Sequence, residues 1–138
     1  RNRIMKFFIS LMALINFSCV GAPEADHGLV KNLPAIINSP SAFSYILRAE
    51  NYSDEKNIEL LLTLQANQFV ASSIIVTESK INDTTMIKIE DDNGEEIYKY
   101  EITKDFTELN TTSSKKPKKA IVIVKNFSGI IDLSITAK

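Results

Sequence analysis

The stretch from Thr84 to Thr103, TTMIKIEDDNGEEIYKYEIT, constrains the fold of this chain more than any other. Asn93-Gly94 is the kind of pair a tight hairpin selects, because a type I′ turn holds both central residues at positive φ. With those two residues as the loop, Asp92 stands opposite Glu95, Glu90 opposite Ile97, Ile89 opposite Tyr98, Ile87 opposite Tyr100 and Thr85 opposite Ile102. One face then carries Thr85, Ile87, Ile89, Tyr98, Tyr100 and Ile102, and the other Met86, Lys88, Glu90, Ile97, Lys99 and Glu101. A slip of one residue would turn one strand's apolar side outward, so the buried face pins the register. Lys88 opposite Lys99 is unfavourable, and Glu90 and Glu101 lie diagonally within reach to offset it.

Around this hairpin the chain is long enough to enclose a core. Its 138 residues, 44% hydrophobic and 24% charged, fit one globular domain behind a short leader. A mature region of about 115 residues removes roughly 65% of its extended-chain surface from water, so folding needs no metal or disulfide. The charge is uneven: Val20 to Ser114 holds 7 Lys/Arg against 16 Asp/Glu, a net of −9, while Lys115 to Lys138 holds 6 Lys against one Asp, a net of +5. An acidic body argues against nucleic acid as the main partner, since phosphate binding takes a basic face. Oppositely charged strands lying side by side would account for the contrast.

The first residues read as an export signal. Arg1 to Lys6 (RNRIMK) is basic, Phe7 to Phe17 (FFISLMALINF) is apolar apart from Ser10 and Asn16, and Ser18 to Ala22 (SCVGA) is small. Positive, apolar and small segments in that order are the layout of a secretory signal, with Met5 as its expected start. The apolar run falls short of the about 20 residues that span a bilayer. Cys19, the chain's only cysteine, sits where that run ends. This resembles a bacterial lipoprotein signal; Ser18 fits the pattern, and Asn16 departs from the aliphatic residue usual three places before the cysteine. The resemblance implies that residues 1–18 are removed and Cys19 is acylated, anchoring the protein to a membrane on the periplasmic side or at the cell surface. Cleavage after Gly21 is the alternative, which makes residues 1–21 an ordinary signal peptide and the mature protein secreted. No cysteine follows Cys19, so no intrachain disulfide can form.

Residues 22–41 read as a tether, with Leu29 to Ile37 as a first edge segment and His27, the only histidine, solvated within it. The domain proper is expected over residues 42–138. Ala42 to Glu50 reads as a strand and Asn51 to Lys56 as a polar turn. Ile58, Leu60, Leu62 and Leu64 then recur with period two, as in a half-buried strand. The same stretch read as a helix would align Ile58, Leu61, Leu62 and Gln65. Ser72 to Lys80 is a further strand, and Asn110 to Lys119 a loop. Ala120 to Lys125 and Ile130 to Thr136 are expected to close as a hairpin around Asn126-Phe-Ser-Gly129, pairing Val124 with Ile131, Val122 with Leu133 and Ala120 with Ile135. Ile121 and Ile123 fall on its outer face. Short strands with turn signals between them predict an all-β, antiparallel β-sandwich of about seven strands. The closing segment IVIVKNFSGIIDLSI resembles the last two strands of an immunoglobulin-like domain; the resemblance implies that architecture and no function, and Trp and a second Cys are absent.

Chemistry is easier to exclude than to assign. Glu90, Asp91, Asp92, Glu95 and Glu96 crowd one turn, but centring an EF-hand on Gly94 puts Ile89 and Tyr100 at ligand positions. With His27 in the tether, no Cys-His or Ser-His pair is in prospect. Neither a zinc ligand set nor a phosphate-binding glycine loop occurs. Lys115, Lys116, Lys118 and Lys119 read as a solvated loop. The expectation is an exported, non-catalytic binding or structural module without cofactor or metal, whose partner is a protein or an envelope component. A second reading is a small inhibitor or chaperone-like partner acting through an exposed edge at Ile121 and Ile123. A third is a eukaryotic secreted glycoprotein, with N-x-Ser/Thr sites at Asn51, Asn82, Asn110 and Asn126, where composition alone gives about 1.5 such sites.

Overall fold

A computed structural model describes residues 28–81, 83–112 and 115–138; Cys19, His27 and Asn82 lie outside them. The described residues hold seven strands and no helix: β1 (Ala35–Asn38), β2 (Ala42–Glu59), β3 (Val70–Ile81), β4 (Thr85–Glu90), β5 (Glu96–Ile102), β6 (Phe106–Thr112) and β7 (Lys119–Ala137). Every strand pairing is antiparallel, as expected for the fold class. Within the segment expected to be a tether, Ala35–Asn38 adds to the sheet as β1, against Phe43 to Ile46.

Two strands are too long for one layer. β2 has 18 residues and β7 has 19, so at about 3.3 Å per residue each would run roughly 60 Å if straight. Instead both bend together and serve two layers. Residues 42–49 of β2 and 129–137 of β7 pair in one layer, in the order β1-β2-β7-β3-β6. Residues 54–59 of β2 and 119–124 of β7 pair in the other, where β4 and β5 extend the sheet beyond β7. The inner faces meet in one apolar cluster that includes Phe43, Leu47, Ile74, Ile87, Val122, Phe127, Ile131 and Leu133. Polar pins cross between the layers: the Tyr98 hydroxyl donates to the Val70 carbonyl at 3.2 Å, and the Ser72 and Tyr100 hydroxyls share a bond of 2.8 Å.

The segments read as turns at 51–56 and 126–129 are bends within single strands, so the closing hairpin is replaced by one continuous β7. Burial shows how. In β2 the buried positions are Phe43, Tyr45, Leu47 and Ala49, and the inward series resumes at Tyr52, Asp54, Lys56 and Ile58. In β7 it runs Ala120, Val122, Val124, then Phe127, Gly129, Ile131. Each strand inserts one residue at the bend, which changes the parity of its inward face, as a β-bulge does. The inserted turn is built twice from the same tripeptide pattern. Asn51-Tyr-Ser53 and Asn126-Phe-Ser128 face each other across the ladder, with Tyr52 opposite Phe127. Both asparagines are left-handed, at φ 48° and 44°. The Asn51 N–H donates to the Ser128 hydroxyl at 2.9 Å, and the Asn126 N–H donates to the Ser53 hydroxyl at 2.8 Å. Asparagine tolerates that backbone region better than other residues with a Cβ, and the serines satisfy amides that the bulge removes from the ladder.

Beyond β2 the expected alternation continues without ladder pairing. Leu60 and Leu62 are buried and Leu64 packs against the core, while Leu61 faces solvent. The helix alternative for this stretch is not adopted. Asn38 secures it, accepting from the Leu61 N–H at 2.9 Å and donating to the Glu59 carbonyl at 2.7 Å.

The central hairpin keeps its expected body register, with Ile89 opposite Tyr98, Ile87 opposite Tyr100 and Thr85 opposite Ile102. Lys88 and Lys99 stand opposite, and each pairs at 2.6 Å with the glutamate two places along its own strand, Glu90 and Glu101, and not with the diagonal one expected. The tip differs. Glu90 pairs with Glu96 through a register shift, and only Gly94 is left-handed, at φ 79°. The Asp91 carboxylate accepts from the Asn93 N–H at 2.9 Å and the Glu95 N–H at 2.8 Å, while the Gly94 N–H reaches the Asp91 carbonyl at 3.2 Å. That bonding favours a three-residue loop closed by a left-handed glycine over the two-residue turn. Asp91→Ala is therefore expected to cost about 1 kcal/mol, against at most about 0.5 for Asp92→Ala. At Gly94, Val is expected to cost about 1–2 kcal/mol, more than Asn. Urea titration of the four variants checks both orderings.

The charge contrast has a local cause. Lys119 lies between Glu59 and Glu90 in the ladder, and Lys115 bonds Glu95 at 2.9 Å. The basic segment is thus laid against the acidic hairpin.

Candidate functional site: a polar groove at the sheet corner

The bend continues into β3. Its pairing with β7 shifts between Thr77 and Lys80, where Glu78 sits at φ 56°. Gly129, at φ 136°, lies directly against this bulge. A Cβ there would stand 2.9 Å from the Thr77 carbonyl oxygen, 3.0 Å from the Ser79 Cα and 3.1 Å from the Glu78 carbonyl oxygen. Three neighbouring strands therefore break step at one level, and the surface above them is concave.

One groove of about 440 Å³ is lined by Lys31, Arg48, Glu50, Asn51, Glu78, Lys80 and Ser128, with Ala49, Gly129 and Ile130 completing its wall. A second, of about 490 Å³, adjoins it through Glu78 and Lys80 and extends over Ser79, Thr103, Lys104 and Asp105. The lining comes from both ends of the chain. Lys31 pairs with Glu50, whose carboxyl that contact holds below the usual carboxylate range. Asn32 fastens the same segment to β2, donating to the Glu50 carbonyl at 3.2 Å and accepting from the Glu50 N–H at 2.8 Å.

Glu78 is the unusual member. A left-handed glutamate lacks the local help asparagine finds, and costs of order 1 kcal/mol. Asp105 holds it there. Its carboxylate accepts from the Glu78 N–H at 3.0 Å, the Ser79 N–H at 2.8 Å and the Ser79 hydroxyl. The Ser79 hydroxyl, followed by the backbone bonds, draws the Asp105 carboxyl below its ordinary value of 3.8. A folded-state pKa below the unfolded one means that these bonds stabilise the fold above the unfolded pKa and are lost as pH falls through the folded one. The amide resonances of Glu78 and Ser79 are expected to titrate together below pH 3.8, and Asp105→Asn to abolish that titration.

A separate polar cluster lies on the inner face of β2. Asp54 accepts from the Tyr52 hydroxyl at 2.9 Å, from Lys56 at 2.8 Å and from the Glu55 N–H at 2.9 Å. These contacts, Lys56 foremost, hold its carboxyl low. Nearby Tyr45 is fully buried, its hydroxyl makes no hydrogen bond among the described residues, and burial pushes its pKa far above the ordinary range. Burial likewise raises Tyr98 to about 12. A carboxylate held ionised and phenols held neutral fasten the fold; none of these groups is poised to exchange a proton near neutral pH. Among the described residues no cluster of three or more His, Cys, Asp or Glu is placed to hold a metal ion.

The residues singled out from the sequence are dispersed. Asn51 lines the groove, whereas Asn126 holds its place in the bulge pair. Asn110 lies on β6 with its amide turned toward the Tyr100 and Glu108 oxygens. Ile121 and Ile123 do face outward, half-buried, but they sit mid-sheet between Asn57 and Glu55 of β2 and Lys88 and Met86 of β4. A strand paired on both sides offers no edge, so the partner-edge expectation fails at these residues. Lys31, Arg48, Glu78, Lys80 and Asp105 are not legible as a group, because the grooves are lined by short pieces of β2, β3 and β7 and of two loops that lie far apart in the sequence. Their one local trace is the run Thr77-Glu-Ser-Lys80, which interrupts a β-branched strand with polar residues.

Neither a family model nor a curated protein matches the chain. Among solved structures it is similar to a family 29 carbohydrate-binding module complexed with mannohexaose, at 6% identity over 75% of each chain, with a TM-score of 0.33. It is also similar to the capsular polysaccharide assembling protein CapF from Staphylococcus aureus, at 11% identity and a TM-score of 0.33. That match covers 83% of this chain and 30% of CapF, so the chain spans less than a third of its length. Likenesses of this size carry no ligand over to the present chain.

Proposed function

We propose that this chain is an exported, non-catalytic β-sandwich module that binds a hydroxyl-rich component of the cell envelope in the corner groove and is tethered to a membrane through Cys19. The observation that supports the binding role is Glu78. Backbone strain held in place by a dedicated carboxylate, inside an open groove, is the kind of outlier that marks a binding surface. The lining supports a polar ligand: cations at Lys31, Arg48 and Lys80 alternate with acceptors at Glu50 and Glu78. Such a set can meet both the donors and the acceptors of sugar hydroxyls.

The binding role is tested by NMR titration with uronate, neutral-hexose and amino-sugar oligomers. The expected result is a shift of the Glu50, Asn51, Glu78, Lys80 and Ser128 amides with at least one oligomer, lost in Lys80→Ala. Shifts confined to other surfaces, or none with any of the three, would overturn it. The tether is tested by membrane fractionation and intact-mass measurement. A membrane-bound chain beginning at an acylated Cys19 is expected; an unmodified soluble chain beginning at Ala22 rules the anchor out.

A further inference from the structure

Among the described residues β1, β5, β6 and residues 51–59 of β2 are each paired on one side only. An unpaired strand exposes a row of N–H and C=O groups that can template another strand, and folded proteins blunt such edges with brevity, proline or charge. Three of these edges are blunted in that way. β1 has four residues and lies between Pro34 and Pro40. β5 carries Glu96, Lys99 and Glu101, and the free half of β2 carries Asp54, Glu55, Lys56 and Glu59.

β6 is different. Its seven residues, FTELNTT, contain one charge, Glu108, and neither Lys nor Pro. They also present Leu109, which at 76% is the most exposed large hydrophobic side chain described. Leu109 stands beside Ser73 on the outer face, one row from the exposed Ile75.

We propose that β6 pairs antiparallel with β6 of a second copy about a two-fold axis at Leu109, joining two sheets edge to edge. The sequence of the strand carries the choice of partner. That axis sets Leu109 against the partner's Leu109, Glu108 against the partner's Asn110, and Thr107 against the partner's Thr111. Apolar meets apolar, a carboxylate meets an amide, and Thr faces Thr, a pairing that cross-strand contacts favour. No like charges meet. The same operation about the centre of β5 would oppose two copies of Lys99, and about the centre of the free half of β2 two copies of Glu55, each unfavourable. A two-fold contact is self-complementary, so the strand that tolerates its own reversed copy is the one suited to it. This inference does not depend on the groove.

Sedimentation velocity of the full chain in mild detergent, over a thousandfold range of concentration, tests it. A concentration-dependent dimer is expected, absent across that range in Leu109→Lys, whose far-UV circular dichroism is unchanged and whose melting temperature matches that of the unsubstituted chain at concentrations where the latter is monomeric. Because Leu109 is exposed, neither it nor its replacement bears on the core. Leu109→Lys and Leu109→Glu, each monomeric alone, are expected to form a one-to-one dimer when mixed. A chain that is monomeric throughout overturns the proposal. So does a dimer that survives Leu109→Lys, or a mixture of the two variants that stays monomeric.

Discussion

Gly129→Val is expected to destabilise the fold by about 3 kcal/mol or more. Two penalties add. At φ 136° the backbone occupies a region that residues with a Cβ rarely enter. The new Cβ would also meet the Thr77 carbonyl oxygen at 2.9 Å and the Ser79 Cα at 3.0 Å, both main-chain atoms that cannot swing aside as a side-chain end could. Relief would require β3 to move away from β7, and Asp105 fastens the β3 bulge where it is. Gly94 provides the control, since a Cβ there meets nothing within 4 Å. In urea titration the midpoint for Gly129→Val is expected to fall with an unchanged slope. A loss under about 1 kcal/mol would mean that the two bulges separate freely.

Phe127→Ala is expected to cost about 4 kcal/mol, and Tyr52→Ala about half as much. The two aromatics occupy matching places in the Asn-Tyr-Ser and Asn-Phe-Ser bends and stand opposite each other in the ladder. Local sequence would make them equivalent. Packing does not: Phe127 is fully buried, while Tyr52 is part-buried with its hydroxyl on Asp54. Removing Phe127 leaves a cavity where the layers join, and the cost of such a change grows with the volume that cannot collapse. Removing Tyr52 opens a space that water can enter. Thermal denaturation of both variants gives the comparison, and equal losses would show that the bend is symmetric in energy as well as in sequence.

The body of the central hairpin was legible because each of its strands is amphipathic on its own, so the apolar faces find their register without help from the rest of the chain. Its tip departs from the local pattern because a carboxylate just before the turn, Asp91, outweighs the preference of Asn93-Gly94 for a two-residue loop. The corner departs from it for a related reason. Ala120, Val122 and Val124 are out of phase with Ile131, Leu133 and Ile135, and a change of phase across a polar, glycine-containing stretch fits a hairpin as well as a bulge. What separates the two is the partner strand. Only the matching phase change between Leu47 and Ile58, beside a second Asn-aromatic-Ser triplet, shows that both strands bend together. That comparison joins segments far apart in the sequence, where a reading by local pattern has no purchase. The groove shares this origin, since it exists only once three bulges are aligned.

The last of the described strands in sequence order is also the middle of the sheet. β7 lies between β2 and β3 in one layer and between β2 and β4 in the other, so every other part of the sheet is attached through it. The bond from the Asn51 N–H to the Ser128 hydroxyl spans 77 residues of sequence. Until residues 119–137 are at hand, β1 with β2, β3 with β6 and β4 with β5 are three separate strand pairs, none with a second layer to cover it. Closing such long loops is entropically costly and slow, and it falls at the end of the process. Emerging from a ribosome or a membrane pore, the chain would carry three unprotected ribbons until residues 119–137 arrive to join them.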